Sequence, residues 1–379
     1  MNTEKNILLV AGEVSGDMHA ARLVRALQRQ HNALRFWGIG GEELQALGME
    51  CLYDVDEMSV LGLSEVIQRY PFFRRVFRRM CREALQRRPD AVILVDYPGF
   101  NLRFAEWAHR QGFRTVYYIC PQVWAWHRSR MEKMAEILDL LLVIFPFEKD
   151  LFAGRGLDVE FVGHPLVDKA QAVRAAPPVS LPWTDRPKVA LLPGSRKQEI
   201  SRMLPVMLSA AGRVRRKMGG GSALVAAPNQ FIKDFAGEIL RGMPEQEQTG
   251  IRIVPGQTRR ILQQADAAMV ASGTATIEAA LMRCPMVVVY KTAWLTYLLG
   301  RMLVRVPHIG MVNVVAGCEL CPEFIQHRAE PRALAEALLS IIDDSPVRRH
   351  MLNGLRQVAQ ELGRPQGLDR AAGCILDRL

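Results

Sequence analysis

The sequence predicts an α/β protein built as two Rossmann-like domains that face each other across a cleft. Three observations carry that expectation. Short apolar runs alternate with helical patterns from the first residues onward, the alternation stops once at a proline-rich stretch, and it then begins again.

In the first series, residues 6–11, 34–39, 91–96, 115–120, 140–145 and 160–162 read as short buried strands with helical patterns between most of them. Strands apolar on both faces belong to parallel sheets covered by helices on both sides. Residues 171–187, "QAVRAAPPVSLPWTDRP", lose the alternation and read as a linker. The second series follows at 189–192, 223–227, 251–254, 267–271 and 286–290, and the chain from Pro331 onward is helical. The domain plan is therefore 1–170, a linker at 171–187, 188–350, and a helical tail at 351–379 that packs back across the domains.

A chain of 379 residues has room for two domains of ordinary size. Its 49% hydrophobic and 23% charged residues fit a globular protein and exclude a disordered or fibrous one. Lysine and arginine total 49 against 39 acids, and the net +10 suits an anionic partner: nucleic acid, an acidic membrane surface or a phosphorylated substrate. Charge alone leaves a non-enzymatic nucleic-acid-binding protein as a rival reading, but no recognisable nucleic-acid module accompanies it, so no nucleic-acid partner is expected. The apolar run at 7–11 is too short for a secretory core, and no uninterrupted run reaches the ~20 residues of a spanning helix. Seven scattered cysteines fit buried thiols in a reducing compartment, with Cys318 and Cys321 read as packing thiols and not metal ligands. The expected location is the cytoplasm.

The first candidate site lies in "LLVAGEVSGDMHAARLVRALQ", residues 8–28. A glycine-containing turn between strand and helix usually cradles a phosphate at a positive helix end. Here Glu13 and Asp17 would set negative charge beside it. Ser15 or Asp17 can cap a helix beginning near Met18, but a cap leaves Glu13 unexplained. A polar ligand site made of Glu13, Ser15, Gly16 and Asp17 therefore stays open beside the cap. Asp96 ends the buried run of "PDAVILVDYPGFN", where it serves either as a general base or as the cap of a helix starting near Asn101. After the next strand, "CPQVWAWHRSR" offers Trp124 and Trp126 for the core rim. His127, Arg128 and Arg130 face solvent or an anionic ligand.

In the second half, "VALLPGSRKQEI" sets Gly194, Ser195 and Arg196 directly after a strand. Gly194 permits close backbone approach, and Arg196 can fork onto a phosphate. "AAMVASGTATIEAALMRCP" then runs from a strand into a helix beginning near Gly273. Its free N–H groups, with the hydroxyls of Ser272 and Thr274, form an anion site. Glu278, one turn further, can hold two ribose hydroxyls. The combination points to a nucleoside diphosphate.

Taken in order, these pieces resemble the lipid-A-disaccharide synthases, glycosyltransferases of the two-domain GT-B architecture. The likeness rests on "AGEVSGD" at 11–17, "FWGIGGEELQALGME" at 36–50, "MSVLGLSEVI" at 58–67, "DYPGFN" at 96–101 and "PQVWAW" at 121–126. It continues through "FPFEKDLF" at 145–152, "FVGHPLVD" at 161–168, "LLPGSRKQEI", "ASGTATIEAAL" and "MVNVVAG" at 311–317. The resemblance implies transfer of 2,3-diacylglucosamine from UDP to 2,3-diacylglucosamine 1-phosphate (lipid X), with inversion to a β-linked product. It implies UDP on the second domain, at Gly194, Ser195, Arg196, Ser272, Gly273, Thr274 and Glu278. The acidic turn belongs on the acceptor or sugar side, Asn313 contacts donor or acceptor, and Asp96 with Arg196 carries the catalysis. No cofactor or metal is expected, and a homodimer stays open. The rivals of the same architecture are a peptidoglycan-type transferase and a UDP-sugar epimerase, whose distinguishing N-terminal motifs are not evident.

Acylated substrates imply work at a bilayer surface, here the inner face of the inner membrane. Residues 69–88, "RYPFFRRVFRRMCREALQRR", hold eight arginines and one glutamate. On a helix, Phe73, Phe77, Met80 and Ala84 form one stripe, while Arg74, Arg75, Arg78, Arg79 and Arg82 lie largely away from it. With Val60, Leu61, Leu63, Val66 and Ile67 alongside, the apolar surface exceeds what one core face needs. Leu61, Leu63, Phe72, Arg74 and Arg78 are the expected membrane contacts, with packing on the sheet as the competing reading.

Overall fold

The computed structural model describes residues 4–58, 69–123, 129–294, 297–298 and 306–379. They divide into two compact units, Met1–Pro165 with Gly363–Leu379, and Leu166–Leu362.

The first unit holds seven parallel strands: β1 (Lys5–Ala11), β2 (Leu34–Gly40), β3 (Glu50–Asp54), β4 (Ala91–Val95), β5 (Thr115–Tyr118), β6 (Leu140–Val143) and β7 (Asp158–Phe161). Their order in the sheet is β3-β2-β1-β4-β5-β6-β7. Leu8 to Ala11, Ala91 to Val95 and Leu140 to Val143 are all buried, as continuous apolar runs require when helices cover both faces. Helix Val14–Gln30 lays Ala20, Leu23, Val24 and Leu27 into the core.

The second unit repeats the pattern with six parallel strands: β8 (Lys188–Leu192), β9 (Ser222–Ala227), β10 (Ile251–Pro255), β11 (Ala267–Ala271), β12 (Met286–Tyr290) and β13 (Glu323–Ile325). Their order is β10-β9-β8-β11-β12-β13. Both sheets thus share one winding: the first strand of each pairs with its second on one side and its fourth on the other.

Two strands escape the apolar pattern. β3, "ECLYD", is a half-exposed edge strand whose polar ends break any apolar run, and β13 has only three residues. The segment 171–187 also opens differently from its reading. Its first residues extend helix Leu166–Ala175, because "KAQAVRA" is made of good helix formers and only Pro177 and Pro178 stop it. The tail divides as well. Helix Pro346–Glu361 belongs to the second unit, and helix Gly367–Leu376 lies against Val14–Gln30 in the first. There Arg29 pairs with Asp369 at 2.6 Å, and Gly367 has no room for a side chain, since a Cβ would meet the Val162 carbonyl at 2.3 Å. Among the described residues no helix is long and apolar enough to cross a membrane.

Candidate active site

In doubly wound sheets ligands collect at the strand C-termini where the winding reverses. In the first unit that point lies between β1 and β4, and the turns leaving those strands carry Gly12–Glu13 and Asp96–Tyr97. In the second it lies between β8 and β11, whose turns carry Gly194–Arg196 and Ser272–Thr274. The acidic turn, Asp96, the Arg196 turn and the helix start at Ser272–Thr274 therefore each sit at their own unit's reversal.

The acidic turn is built around a neighbour. A Cβ on Gly12 would stand 2.2 Å from Cδ1 of Tyr97, so only glycine lets that ring lie across the end of β1. The helix begins at Val14, not near Met18, with Glu13 as the N-cap residue but without a side-chain capping bond. Asp17 caps a different helix. Its buried carboxylate accepts from the backbone N–H groups of Gly41 at 2.7 Å and Glu43 at 3.1 Å, which open the short helix Glu42–Gln45. Gly16 is buried, and Glu13 and Ser15 are the exposed members of the group. Glu13 lies beside Tyr97 and adds to the burial that pushes the phenol up to about 12.

Asp96 and Tyr97 both take left-handed backbone angles, φ 48° and 49°, where each non-glycine residue costs about 1 kcal/mol or more. The following Pro98 makes a helical preceding residue harder still. Helix Pro98–Arg110 starts three residues before Asn101, with Tyr97 and not Asp96 at the N-cap position. Asp96 is thereby released from the capping alternative. Burial raises its carboxyl above the usual aspartate range, with the Tyr97 backbone N–H pulling the other way. A carboxylate so placed is a better base than an exposed one.

In the second unit, the Arg196 side chain is 80% exposed and only loosely paired with Glu199 at 3.8 Å. The turn before it is already occupied. Glu199 accepts from the N–H groups of Ser195 at 3.2 Å and Arg196 at 3.4 Å, and a Cβ on Gly194 would meet its Oε2 at 2.5 Å. The close approach that Gly194 allows is thus to its own helix, and the guanidinium is what this turn offers to an anion. Gly273, at φ 138°, faces open space and precedes helix Thr274–Leu281 without a side-chain cap. Thr274 is exposed, while the Ser272 hydroxyl donates to the Ile309 carbonyl at 2.7 Å. Glu278 is held by Arg259, a residue that no sequence pattern separated from its neighbour Arg260.

Asn313 is turned into the interior. It is fully buried, its amide donating to Cys321 O and Glu323 Oε1 and its carbonyl accepting from Cys321 N. Glu323 also accepts from Ile309 N at 3.0 Å and Gly310 N at 2.9 Å. Since the Ile309 carbonyl accepts from Ser272, Asn313 and Glu323 brace the loop to which the Ser272 turn is bonded.

Helix Tyr70–Arg87 buries Met80 and Ala84 as expected, with Val76 in the place expected of Phe73. Phe77 lies against Phe100 and Phe104, with ring centroids 5.7 and 5.8 Å away. Phe72 stands edge-on to Tyr53 at 6.2 Å under the Arg69 guanidinium, so it is half-buried within the unit. Arg74, Arg75, Arg78 and Arg82 are exposed, and Arg79 lies over Tyr53. Leu61, Leu63 and their apolar neighbours, like Trp124, Trp126, His127 and Arg128, lie outside the described residues.

A family model described as lipid-A-disaccharide synthetase matches residues 7–370. A lipid-A-disaccharide synthase of Syntrophus aciditrophicus is 41% identical over 375 residues, covering 97% of this chain and 96% of that protein. The chain belongs to the lipid-A-disaccharide synthase family. A second protein of that name, from Myxococcus xanthus, is 38% identical and covers 100% of this chain and 99% of its own. Solved structures show the fold more widely. The glycotransferase of kitacinnamycin superposes with a TM-score of 0.64 at 16% identity, covering 99% of both chains. MurG of Acinetobacter baumannii gives 0.60 at 12%, covering 98% of this chain and 99% of its own. A putative UDP-N-acetylglucosamine 2-epimerase of Listeria monocytogenes gives 0.63 at 15%, covering 99% and 95%. The family is thus a glycosyltransferase family on the GT-B fold.

Proposed function

We propose that the protein transfers 2,3-diacylglucosamine from UDP-2,3-diacylglucosamine to the primary hydroxyl of 2,3-diacylglucosamine 1-phosphate, releasing UDP. Family membership over residues 7–370 carries this reading, and the partly buried carboxyl of Asp96 and the open guanidinium at Arg196 suit its two halves.

In this mechanism Asp96 takes the proton of the acceptor hydroxyl as its oxygen bonds to the donor's anomeric carbon. The bond from that carbon to the diphosphate breaks on the opposite face, and UDP leaves with the electron pair. Charge gathering on the departing diphosphate meets Arg196 and the N–H groups opening helix Thr274–Leu281, fixed donors that act most where charge develops. Glu278 takes the ribose, and Glu13 and Ser15, the exposed pair of the acidic turn, take sugar hydroxyls. Asn313 and Asp17 position loops and do not touch substrate. The reaction so written needs no metal.

Both sugars carry fatty chains, and we infer that the arginine-rich helix Tyr70–Arg87 and the adjoining Leu61 and Leu63 meet an anionic membrane surface. The test of the reaction is UDP release from UDP-2,3-diacylglucosamine with and without lipid X, in EDTA. Release that depends on lipid X and survives EDTA is expected. Sugar turned over equally well without acceptor would favour an epimerase or hydrolase.

A further inference from the structure

What holds Asp96 at an angle that its own backbone disfavours? The answer lies behind the strand ends. Asn101, one turn into helix Pro98–Arg110, is fully buried, and its Nδ2 donates to Asp96 O at 2.7 Å and Val95 O at 3.2 Å, with Val10 O at 3.5 Å. Tyr117, from β5 beside β4, is also fully buried, and its hydroxyl donates to the same Asp96 carbonyl at 2.5 Å. One carbonyl therefore takes two buried donors, from a helix and from a neighbouring strand. The third side is closed by Tyr97, whose ring crosses bare Gly12 and whose hydroxyl donates to Met58 O at 3.1 Å.

Asn101 Oδ1 is buried and left without a hydrogen-bond partner. An amide kept in an apolar interior with one end unmatched is a cost that packing alone does not explain. Its donor end offsets this by gripping the Val95 and Asp96 carbonyls, most tightly that of Asp96.

We propose that Asn101 and Tyr117 are positioning residues that clamp the Asp96 carbonyl and so hold the Asp96 carboxylate in its reactive orientation. The proposal rests on Asp96 as the base. Neither residue touches substrate. Without the clamp, the strained pair relaxes toward ordinary backbone angles and the carboxylate swings out of line, and misplacement of about 1 Å can slow a reaction ~10²-fold.

The experiment is a double-mutant cycle on lipid-X-dependent UDP release, with Tyr117→Phe, Asp96→Asn and the two combined. Tyr117→Phe keeps the buried ring and removes only the hydroxyl, so it folds where Asn101→Ala, run alongside, could fail. The expected result is a kcat about 10-fold or more lower for Tyr117→Phe, with the KM for UDP-2,3-diacylglucosamine unchanged. In the Asp96→Asn background the same change should have no further effect, because the group being positioned is already gone. Normal kcat in Tyr117→Phe overturns the clamp while leaving the base intact. An equal loss in both backgrounds overturns it too, since Tyr117 then acts through general stability. Full activity in Asp96→Asn alone is the separate outcome that removes the base, and the clamp's purpose with it.

Discussion

Arg259 Nη1 donates to Glu278 Oε1 at 2.5 Å, and the buried Nε of the same guanidinium has no hydrogen-bond partner. The pair joins helix Thr258–Gln264, which follows β10, to the helix after β11 and sets the direction of the carboxylate assigned to ribose.

Removing the arginine leaves Glu278 free to turn. Arg259→Met should weaken UDP binding by about 10-fold, the scale of one charge-assisted hydrogen bond. The preference for UDP over 2′-deoxy-UDP should shrink with it, and Arg259→Lys should recover part of both. Calorimetric titration of the two nucleotides decides the matter. An unchanged preference in Arg259→Met means that Glu278 does not hold the ribose.

Gly12→Ala places a methyl 2.2 Å from the Tyr97 ring and must displace it, together with the Asp96 turn. Overpacking of this kind costs about 1–3 kcal/mol. Turnover should fall at least ~10-fold, the result of moving the base. Gly16→Ala is the stability control, because its Cβ would find nothing nearer than 3.7 Å. Thermal melts should show loss at Gly12 only.

These two glycines show what was legible in the sequence. The alternation of apolar runs reveals every strand but the polar-ended edge strand β3 and the three-residue β13, and the turns after β1, β4, β8 and β11 can be named from their glycines and charges. The partners cannot. Tyr97 over Gly12, Asp17 capping a helix 24 residues on, and Arg259 on Glu278 are contacts across strands, and no local spacing encodes them. The arginine helix buries Met80 and Ala84 of the expected stripe, but at its start the aromatic rings point to Phe73 as core, whereas Val76, small and β-branched, takes the buried place.

His164 offers a pH test. Burial, with His19 beside it, pushes the imidazole down from 6.5 to about 3. Between those values the unfolded chain binds a proton that the folded chain refuses, so stability falls as pH drops through that window. Urea midpoints should decline from pH ~6.5 to ~5, before most carboxylates titrate. His164→Gln should flatten that slope. A slope unchanged by the substitution would assign the decline to other groups.

Membrane association has its own signature. Arg74→Gln with Arg78→Gln removes two exposed charges worth about 1 kcal/mol each at an anionic leaflet. Sedimentation with anionic vesicles should fall and the melting temperature should hold. Leu61, Leu63 and Phe72 changed together to serine should also release the protein from vesicles. A large drop in melting temperature instead assigns those side chains to the interior, as the Phe72–Tyr53 contact would have it.

The central claim is that Asp96 removes the acceptor's proton. Burial raises its carboxyl, so the acid limb of kcat should lie above the ordinary aspartate range, and activity should rise with pH as the group ionises. The most direct measurement is lipid-X-dependent UDP release by Asp96→Asn, with UDP affinity measured on the same preparation. The account predicts turnover reduced by ~10² or more and UDP affinity unchanged. Near-normal turnover with the same acid limb would contradict it, and would pass the role of base to Glu13.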